Sequence, residues 1–517
     1  MRPRAFAGLC TSLLLVLSFP HADVGGLAFV ALVPLLLALR DAPPRAAAQL
    51  GFVAGAAFFG GLLYWLTGVM THYGGLPIIG GAAILALLVA YLSIYIALFA
   101  AIVAAGVARL GPAGYLAAPF VWTGLELLRG RLLTGFPWGT LGATQWRHPG
   151  ILQAGALGGV ALVSWLVVLA NAGVAILLVR GASRRVRLAG AAALLAVAAA
   201  ALFGGRVARH LPQGDGEAIP VAAVQANVPQ DRKWRPEEEA ATVTRLIDMS
   251  RQAVAQGARL VVWPESSSPL SYYRPAGEAA MAMAIKGDEE DAERVAAFVR
   301  ESGITLVAGA VQYRHRGGRS RAYNSAFVSV PQGGFRESYD KVHLVPFGEY
   351  VPLQRVLFFV NRMVQGAVSE FEAGDRIAPL STPFGAAGTL ICYEAIFPEQ
   401  VRRLTSARFL LNLTNDAWFG RSAAPRQHLA MTAVRAAENH RWMLRAANTG
   451  ISAIVDPAGR LVAETPLEEE RLLRGTIHAR ADVTPYAAHG DLFAWGCAIV
   501  AAVAGVRWRA WRARRRD

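Results

Sequence analysis

Long apolar runs dominate the first 204 residues of this 517-residue chain. They lie near 5–20, 24–39, 51–70, 77–106, 113–128, 152–179 and 188–204, and an eighth covers about 490–506. Crossing bilayer hydrocarbon as a helix takes about 20 residues, with a range of about 17–25. Most runs meet that length; 113–128 is short, and 77–106 is long enough to tilt. Arg2 and Arg4 before the first run would suit a cleavable signal peptide. Six more runs follow in the same block, so a retained first span is the better reading.

Charge follows the same division. The chain carries 51 basic and 36 acidic residues, net +15. Residues 1–204 hold 12 Arg and 3 acidic residues, 205–488 hold 33 basic and 31 acidic, and the last 29 hold 6 Arg and 2 Asp. The excess positive charge therefore belongs to the apolar ends. A nucleic-acid partner needs a basic stripe on a soluble face, and the soluble block is almost neutral. Three segments follow: a membrane domain at 1–204, a globular domain at 205–488, and a last span with a basic tail at 489–517.

Eight spans return both termini to one side. That side collects Arg2, Arg4, Arg40, Arg45, Arg109, Arg180, Arg184, Arg185, Arg187 and the tail RWRAWRARRRD. The positive-inside rule makes it the cytoplasm, so 205–488 faces outward, into the periplasm of a double-membrane bacterium. Cys10 and Cys497 fall in spans, which leaves Cys392 alone in the outward block with no intradomain disulfide partner. A lone thiol in an oxidising compartment invites damage unless it has work to do.

Within 205–488, short β-rich runs alternate with helical stretches. The strand candidates are 219–227, 259–265, 304–311, 324–330, 388–394, 408–414 and 452–457; the helices are 236–256, 288–302 and 425–446. This alternation indicates an α/β domain, in which active residues gather at the carboxyl ends of strands. Glu265 ends RLVVWPE, Cys392 ends the run GTLI, and Lys341 follows NSAFVSV after a turn. Only three of the 51 basic residues are Lys. An ammonium offers a compact charge and a movable pKa that Arg lacks. Lys233 and Lys286 share that rarity, so rarity alone does not single out Lys341.

The three residues make coherent chemistry. A thiol is a weak nucleophile until it loses its proton, and Glu265 could take it if burial raised the carboxyl toward neutrality. Lys341 would lower the Cys392 pKa and neutralise the oxyanion formed when sulfur attacks a carbonyl. The product is a thioester, which divides one difficult acyl transfer into two easier steps.

WPES with Glu265, YDKVHLVPFGEYVP with Lys341, and ICYEAIFP with Cys392 resemble the Glu-Lys-Cys triad of the nitrilase superfamily in order and spacing. VQAN and NLTNDAWFG strengthen the resemblance, which implies an α-β-β-α sandwich. With the spans and TGFPW at 134–138, the chain resembles the superfamily's membrane-embedded apolipoprotein N-acyltransferase branch. That resemblance implies a phospholipid donor, a diacylglyceryl-modified apolipoprotein acceptor and no cofactor or metal. It also implies Glu265 as base and Lys341 at the oxyanion. Glu349 would support the site, and Tyr393 and Glu394 would flank the nucleophile. Trp234 would sit on a loop near the substrate, and Asn324, Trp418 and Phe419 would line the cavity.

The apolar stretch 356–371 and the region of Trp234 are candidates for a lid at the bilayer surface. The rival readings are a membrane-anchored amidase that hydrolyses a small carbon–nitrogen substrate, and a transporter or assembly protein with a retired catalytic domain. Water resolves the thioester in the amidase, and an amine in the transferase. Retirement would usually cost one of the three residues. His315, His343, His428 and His440 show no close ligand spacing.

Overall fold

The computed structural model describes residues 3–233, 235–267, 271–274, 284–286, 289–316, 319–332, 334–350 and 371–513. The chain forms two compact units. One comprises Met1–Gly68, Pro77–Leu211 and Thr484–Asp517; the other comprises Val69–Leu76 and Pro212–Val483. The helix Arg184–His210 runs on past residue 204, and the short helix Pro485–His489 goes with the first unit.

The first unit is helical. Among the described residues, four helical stretches are long and apolar enough to cross a membrane: Pro44–Leu63, the interrupted stretch Ile78–Arg129, Gly155–Leu178 and Arg184–His210. Shorter apolar helices cover Arg4–Ser18, Gly25–Ala38 and Leu492–Val503. Leu87, Leu195, Leu202 and Phe203 stand exposed on these helices. Such surface is stable against hydrocarbon and sticky in water. The protein is a membrane protein.

The run 24–39 does not form the single helix its apolarity suggests. A 3-10 turn at Gly25–Phe29 is followed by a separate helix Val33–Ala38 with Pro34 in its first turn. Proline has no N–H to donate and clashes with the preceding turn. The freed backbone is held by Asn171, whose Nδ2 donates to the Ala28 carbonyl (2.8 Å) and whose Oδ1 accepts from Leu32 N (2.8 Å). Elsewhere in the unit, small residues let helices meet closely. A Cβ on Gly51 would lie 2.6 Å from the Ile96 carbonyl oxygen of the facing helix.

The second unit contains two sheets. Chain order gives β1 (Ala218–Gln225), β2 (Leu260–Val262), β3 (Ser271–Arg274), β4 (Ala284–Lys286), β5 (Thr305–Arg316), β6 (Arg319–Val330) and β7 (Gly334–Asp340). After them come β8 (Leu380–Thr382), β9 (Gly385–Ile391), β10 (Phe409–Thr414), β11 (Met443–Ala447), β12 (Ala453–Val455), β13 (Leu461–Glu464) and β14 (Arg471–His478). The first sheet runs β14-β1-β2-β5-β3-β4, with β6 and β7 continuing from β5; the second runs β13-β12-β11-β10-β9-β8.

Strand alternation builds the layers. Ile219, Val221 and Ala223 of β1 pack with Leu411, Leu413 and Leu444 of the other sheet. Ala222 and Val224 pack with Val243, Leu246, Val295 and Phe298 of the helices Pro236–Ala255 and Glu289–Ser302. The helix Ala424–Asn439 packs on the second sheet's side. This is the α-β-β-α sandwich that the resemblance implies.

Two sequence expectations change. The helix expected over 425–446 stops at Asn439, where His440 caps it in the left-handed region (φ 47°). MLRAA then becomes the buried strand β11 between β10 and β12. Its residues favour helix locally, and pairing on both edges overrides that preference. Lys341 follows β7, an antiparallel partner of β6 that the sequence reading passes over.

Gly309 in β5 sits against the turn after β2: a Cβ there would lie 2.4 Å from the Pro264 carbonyl and 2.7 Å from Glu265 Cα. Gly309→Ala must push β5 and that turn apart. We expect a loss of about 1–3 kcal/mol, measurable as an earlier thermal unfolding transition of the purified protein.

Candidate active site

Four strands deliver the site at their carboxyl ends. Glu265 follows β2, Lys341 follows β7, Cys392 follows β9, and Asn415 and Asp416 follow β10. Cys392 opens a 3-10 turn with φ 48°. A non-glycine residue in the left-handed region carries strain that the surroundings must hold in place.

Lys341, only 1% exposed, donates from Nζ to Glu265 Oε1 (3.1 Å) and to Glu349 Oε1 (2.9 Å). Asn324 Nδ2 reaches the same two oxygens at 2.8 and 2.9 Å. The outer oxygens are held by main chain, Glu265 Oε2 by Asn415 N (2.9 Å) and Glu349 Oε2 by Val345 N (2.8 Å). Every carboxylate oxygen therefore has a donor, as burial of charge requires.

Glu394 is a clamp. Its Oε1 accepts from Val342 N (2.7 Å), His343 N (3.2 Å) and the Tyr339 hydroxyl (2.9 Å), and its Oε2 accepts from Ile391 N (2.8 Å). One buried side chain thus ties the turn carrying Lys341 to the turn carrying Cys392. Tyr393 packs edge-on against Phe397 (5.0 Å), and His343 stacks on the same ring (3.6 Å). Trp418 lies edge-on to Tyr73 (5.0 Å), and Phe419 lies 6.5 Å from the His428 ring. Trp234 and residues 356–370, the proposed lid, lie outside the described residues.

The protonation pattern differs from the expectation for Glu265. Burial pushes its carboxyl up, but the charges of Lys341 and Lys233 and the bonds from Asn324 and Lys341 outweigh it, so it is held below its usual range. Burial and the nearby Glu265 carboxylate push the Cys392 thiol up, and Lys341 offsets only part of this. Lys341 resists burial because Glu265 and Glu349 hold its proton, and its pKa is raised. The resting site is thus a thiol, a carboxylate and an ammonium. No thiolate is held ready at rest.

Beneath Cys392 lies a network that sequence reasoning missed. His428 Nε2 donates to the Cys392 carbonyl (3.1 Å), and its Nδ1 stands 3.1 Å from both Asp416 Oδ1 and Arg445 Nη2. Burial and Arg445 lower the His428 pKa, so the ring is neutral with its proton on Nε2. Arg445 Nη2 donates to Asp416 Oδ2 (2.6 Å) and Nη1 to Asn412 Oδ1. Asn412 Nδ2 also reaches the Cys392 carbonyl (3.5 Å). The ligand-type atoms of Cys392, Asp416 and His428 lie within 4.8 Å of one another. Arg445 already stands against Asp416 where a cation would have to sit, so the trio braces the strained turn. The NLTNDAWFG motif marks Asp416, but nothing in the sequence pairs it with His428 or Arg445.

The family model described as carbon-nitrogen hydrolase matches residues 220–486, and that described as apolipoprotein N-acyltransferase N-terminal domain matches residues 11–173. The globular unit is thus a carbon–nitrogen hydrolase domain of the nitrilase type. The apolipoprotein N-acyltransferase of Geobacter metallireducens is 40% identical over 500 residues, 95% of this chain and 93% of that protein. That of Methylococcus capsulatus is 37% identical over 508 residues, 96% of this chain and 95% of its own. The chain belongs to the apolipoprotein N-acyltransferase family.

Arg445 and Asp416 form a fully buried pair. Arg445→Met strands the carboxylate, and we expect a loss of about 3–5 kcal/mol. Asp416 also makes stability depend on acid. Its folded pKa is depressed from 3.8 to about 2 because the Arg445 charge and the hydrogen bond from the Thr414 hydroxyl outweigh burial. Its contribution is therefore complete above the unfolded value and is lost as pH falls toward about 2. Thermal unfolding of Asp416→Asn should lack that part of the acid dependence.

Proposed function

We propose that this protein transfers an acyl chain from a membrane phospholipid to the free α-amino group of a diacylglyceryl-modified cysteine at the N-terminus of an apolipoprotein. The observation that carries this reading is the Lys341 ammonium shared by two buried carboxylates beside a strained nucleophile turn, in a chain of this family. Cys392 sulfur attacks the ester carbonyl while Glu265 takes the thiol proton. Lys341 faces the charge that builds on the carbonyl oxygen. Collapse breaks the ester C–O bond, Glu265 returns the proton to the leaving lysophospholipid oxygen, and a thioester remains. The acceptor amine then attacks the thioester carbonyl and gives its proton to Glu265. The C–S bond breaks, the sulfur is reprotonated, and an amide is released.

Asn324 and Glu349 orient the Glu265–Lys341 pair, and Glu394 sets Cys392 against it. Tyr393, Trp418 and Phe419 offer aromatic surface for acyl chains. Both substrates carry chains whose extraction into water costs about 0.8 kcal/mol per CH₂, which favours chemistry at the bilayer surface. The Arg distribution supports an inner-membrane location with the catalytic domain periplasmic and both termini cytoplasmic.

Intact-mass measurement of the protein incubated with phospholipid tests the reading. We expect an acyl adduct on the Cys392 peptide that a lipopeptide amine discharges to an N-acyl product. Cys392→Ala should show no adduct, and Glu265→Gln and Lys341→Met should form it at least about 100-fold more slowly. A thioester discharged as readily by water would favour the amidase reading.

A further inference from the structure

Two of the chain's three lysines converge on one glutamate. Lys341 binds the Glu265 carboxylate, and Lys233 Nζ donates to the Glu265 main-chain carbonyl at 3.0 Å. Lys233 is only 5% exposed. An ammonium that dry needs negative charge facing it, and among the described residues the Glu265 carboxylate and Cys392 face it. Neighbouring charges on its own turn engage one another: Arg232 pairs with Glu238, and Arg235 with Asp231. Gln230 Oε1 accepts from Asn415 Nδ2 (2.7 Å), so this turn is also tied to the residue whose amide holds Glu265 Oε2.

The charge balance gives Lys233 a part in the reaction. Glu265 and Glu349 bring two negative charges, and Lys341 returns one. With Lys233 the group is neutral. During attack, the proton leaving sulfur neutralises Glu265, and a new negative charge appears on sulfur and then on the carbonyl oxygen. Without Lys233 that charge would grow beside Glu349 with only one ammonium to balance both.

We propose that Lys233 is a positioning residue of the acyl-transfer site: it fixes the main chain at Glu265 and supplies the second positive charge against which the reacting sulfur and oxygen become negative. The inference rests on the reading of Cys392 as the acyl-carrying nucleophile. Burial lowers the Lys233 pKa to about 8, whereas that of Lys341 is raised, so Lys233 is the cation the site can lose under mild alkali. Its charge is present below that value and disappears as pH rises through it.

The test is single-turnover acylation of the full-length protein in phospholipid–detergent micelles, followed by intact mass from about pH 6 to about pH 10. Wild type, Lys233→Arg, Lys233→Met and Cys392→Ala are compared. The wild-type rate should fall as pH rises through about 8. Lys233→Arg should abolish that fall, because a guanidinium stays charged. Lys233→Met should be slower by about tenfold or more at neutral pH, with no such fall. Thermal unfolding shows whether each variant is folded; if Lys233→Met is not, the Lys233→Arg profile decides. A Lys233→Arg profile that falls like the wild type, or wild-type acylation by Lys233→Met, would overturn the inference. Loss of the adduct in Cys392→Ala alongside either result leaves the thioester reading standing. An adduct in Cys392→Ala would sink that reading, and the role of Lys233 with it.

Discussion

An ammonium almost wholly removed from water stands between two carboxylates, and most of the site follows from keeping it there. Lys341 can stay charged only because Glu265 and Glu349 face it, and they can stay ionised only because each of their oxygens has a donor. Those donors are the Asn324 side chain of β6, the Lys341 side chain and Val345 main chain after β7, and the Asn415 main chain after β10. The two sheets must therefore pack in one register for the charges to be tolerated. Removing either partner would leave a buried charge uncompensated, a far larger penalty than the pair's net attraction. Fold and chemistry are thus coupled through one nitrogen atom.

A second constraint acts on Cys392. Cys392 occupies a backbone conformation that side chains avoid, and its carbonyl is received by His428 and Asn412, themselves fixed by Arg445 and Asp416. Glu394 then joins this turn to the one bearing Lys341. The sulfur is held protonated at rest by burial and by the Glu265 carboxylate beside it. A thiol kept protonated is also poorly oxidised, since oxidation follows thiolate character.

Much of this was legible from residue order. The apolar runs marked the helical unit, and strands β1, β2, β5, β6, β9, β10 and β12 were visible as Val-, Ile- and Leu-rich segments. Glu265 and Cys392 could be named because each follows such a segment, and Lys341 because it follows NSAFVSV after what reads as a turn, where β7 in fact intervenes. What stayed hidden depends on contacts across the sheets. MLRAA reads as helix until β10 and β12 claim both its edges. The Glu265 carboxyl was expected to rise on burial, and it falls because two lysines and Asn324 meet it from other strands and turns. Arg445 is one arginine among 48, and Gly309 one glycine among 52; only their neighbours distinguish them.

The segment Val69–Leu76 is made early, between two stretches of the helical unit, yet it packs with the unit whose remaining residues begin at Pro212. Tyr73 from this segment donates its hydroxyl to the Ala417 carbonyl (2.9 Å) and lies edge-on to Trp418. The globular unit is therefore not one continuous stretch of chain. During synthesis this short piece waits for more than a hundred intervening residues before its partners exist, a contact with a long loop-closure time. A fragment starting at Pro212 lacks the tyrosine that packs on the Trp418 indole. Completion of the globular unit therefore needs a segment made among the helices of the first unit.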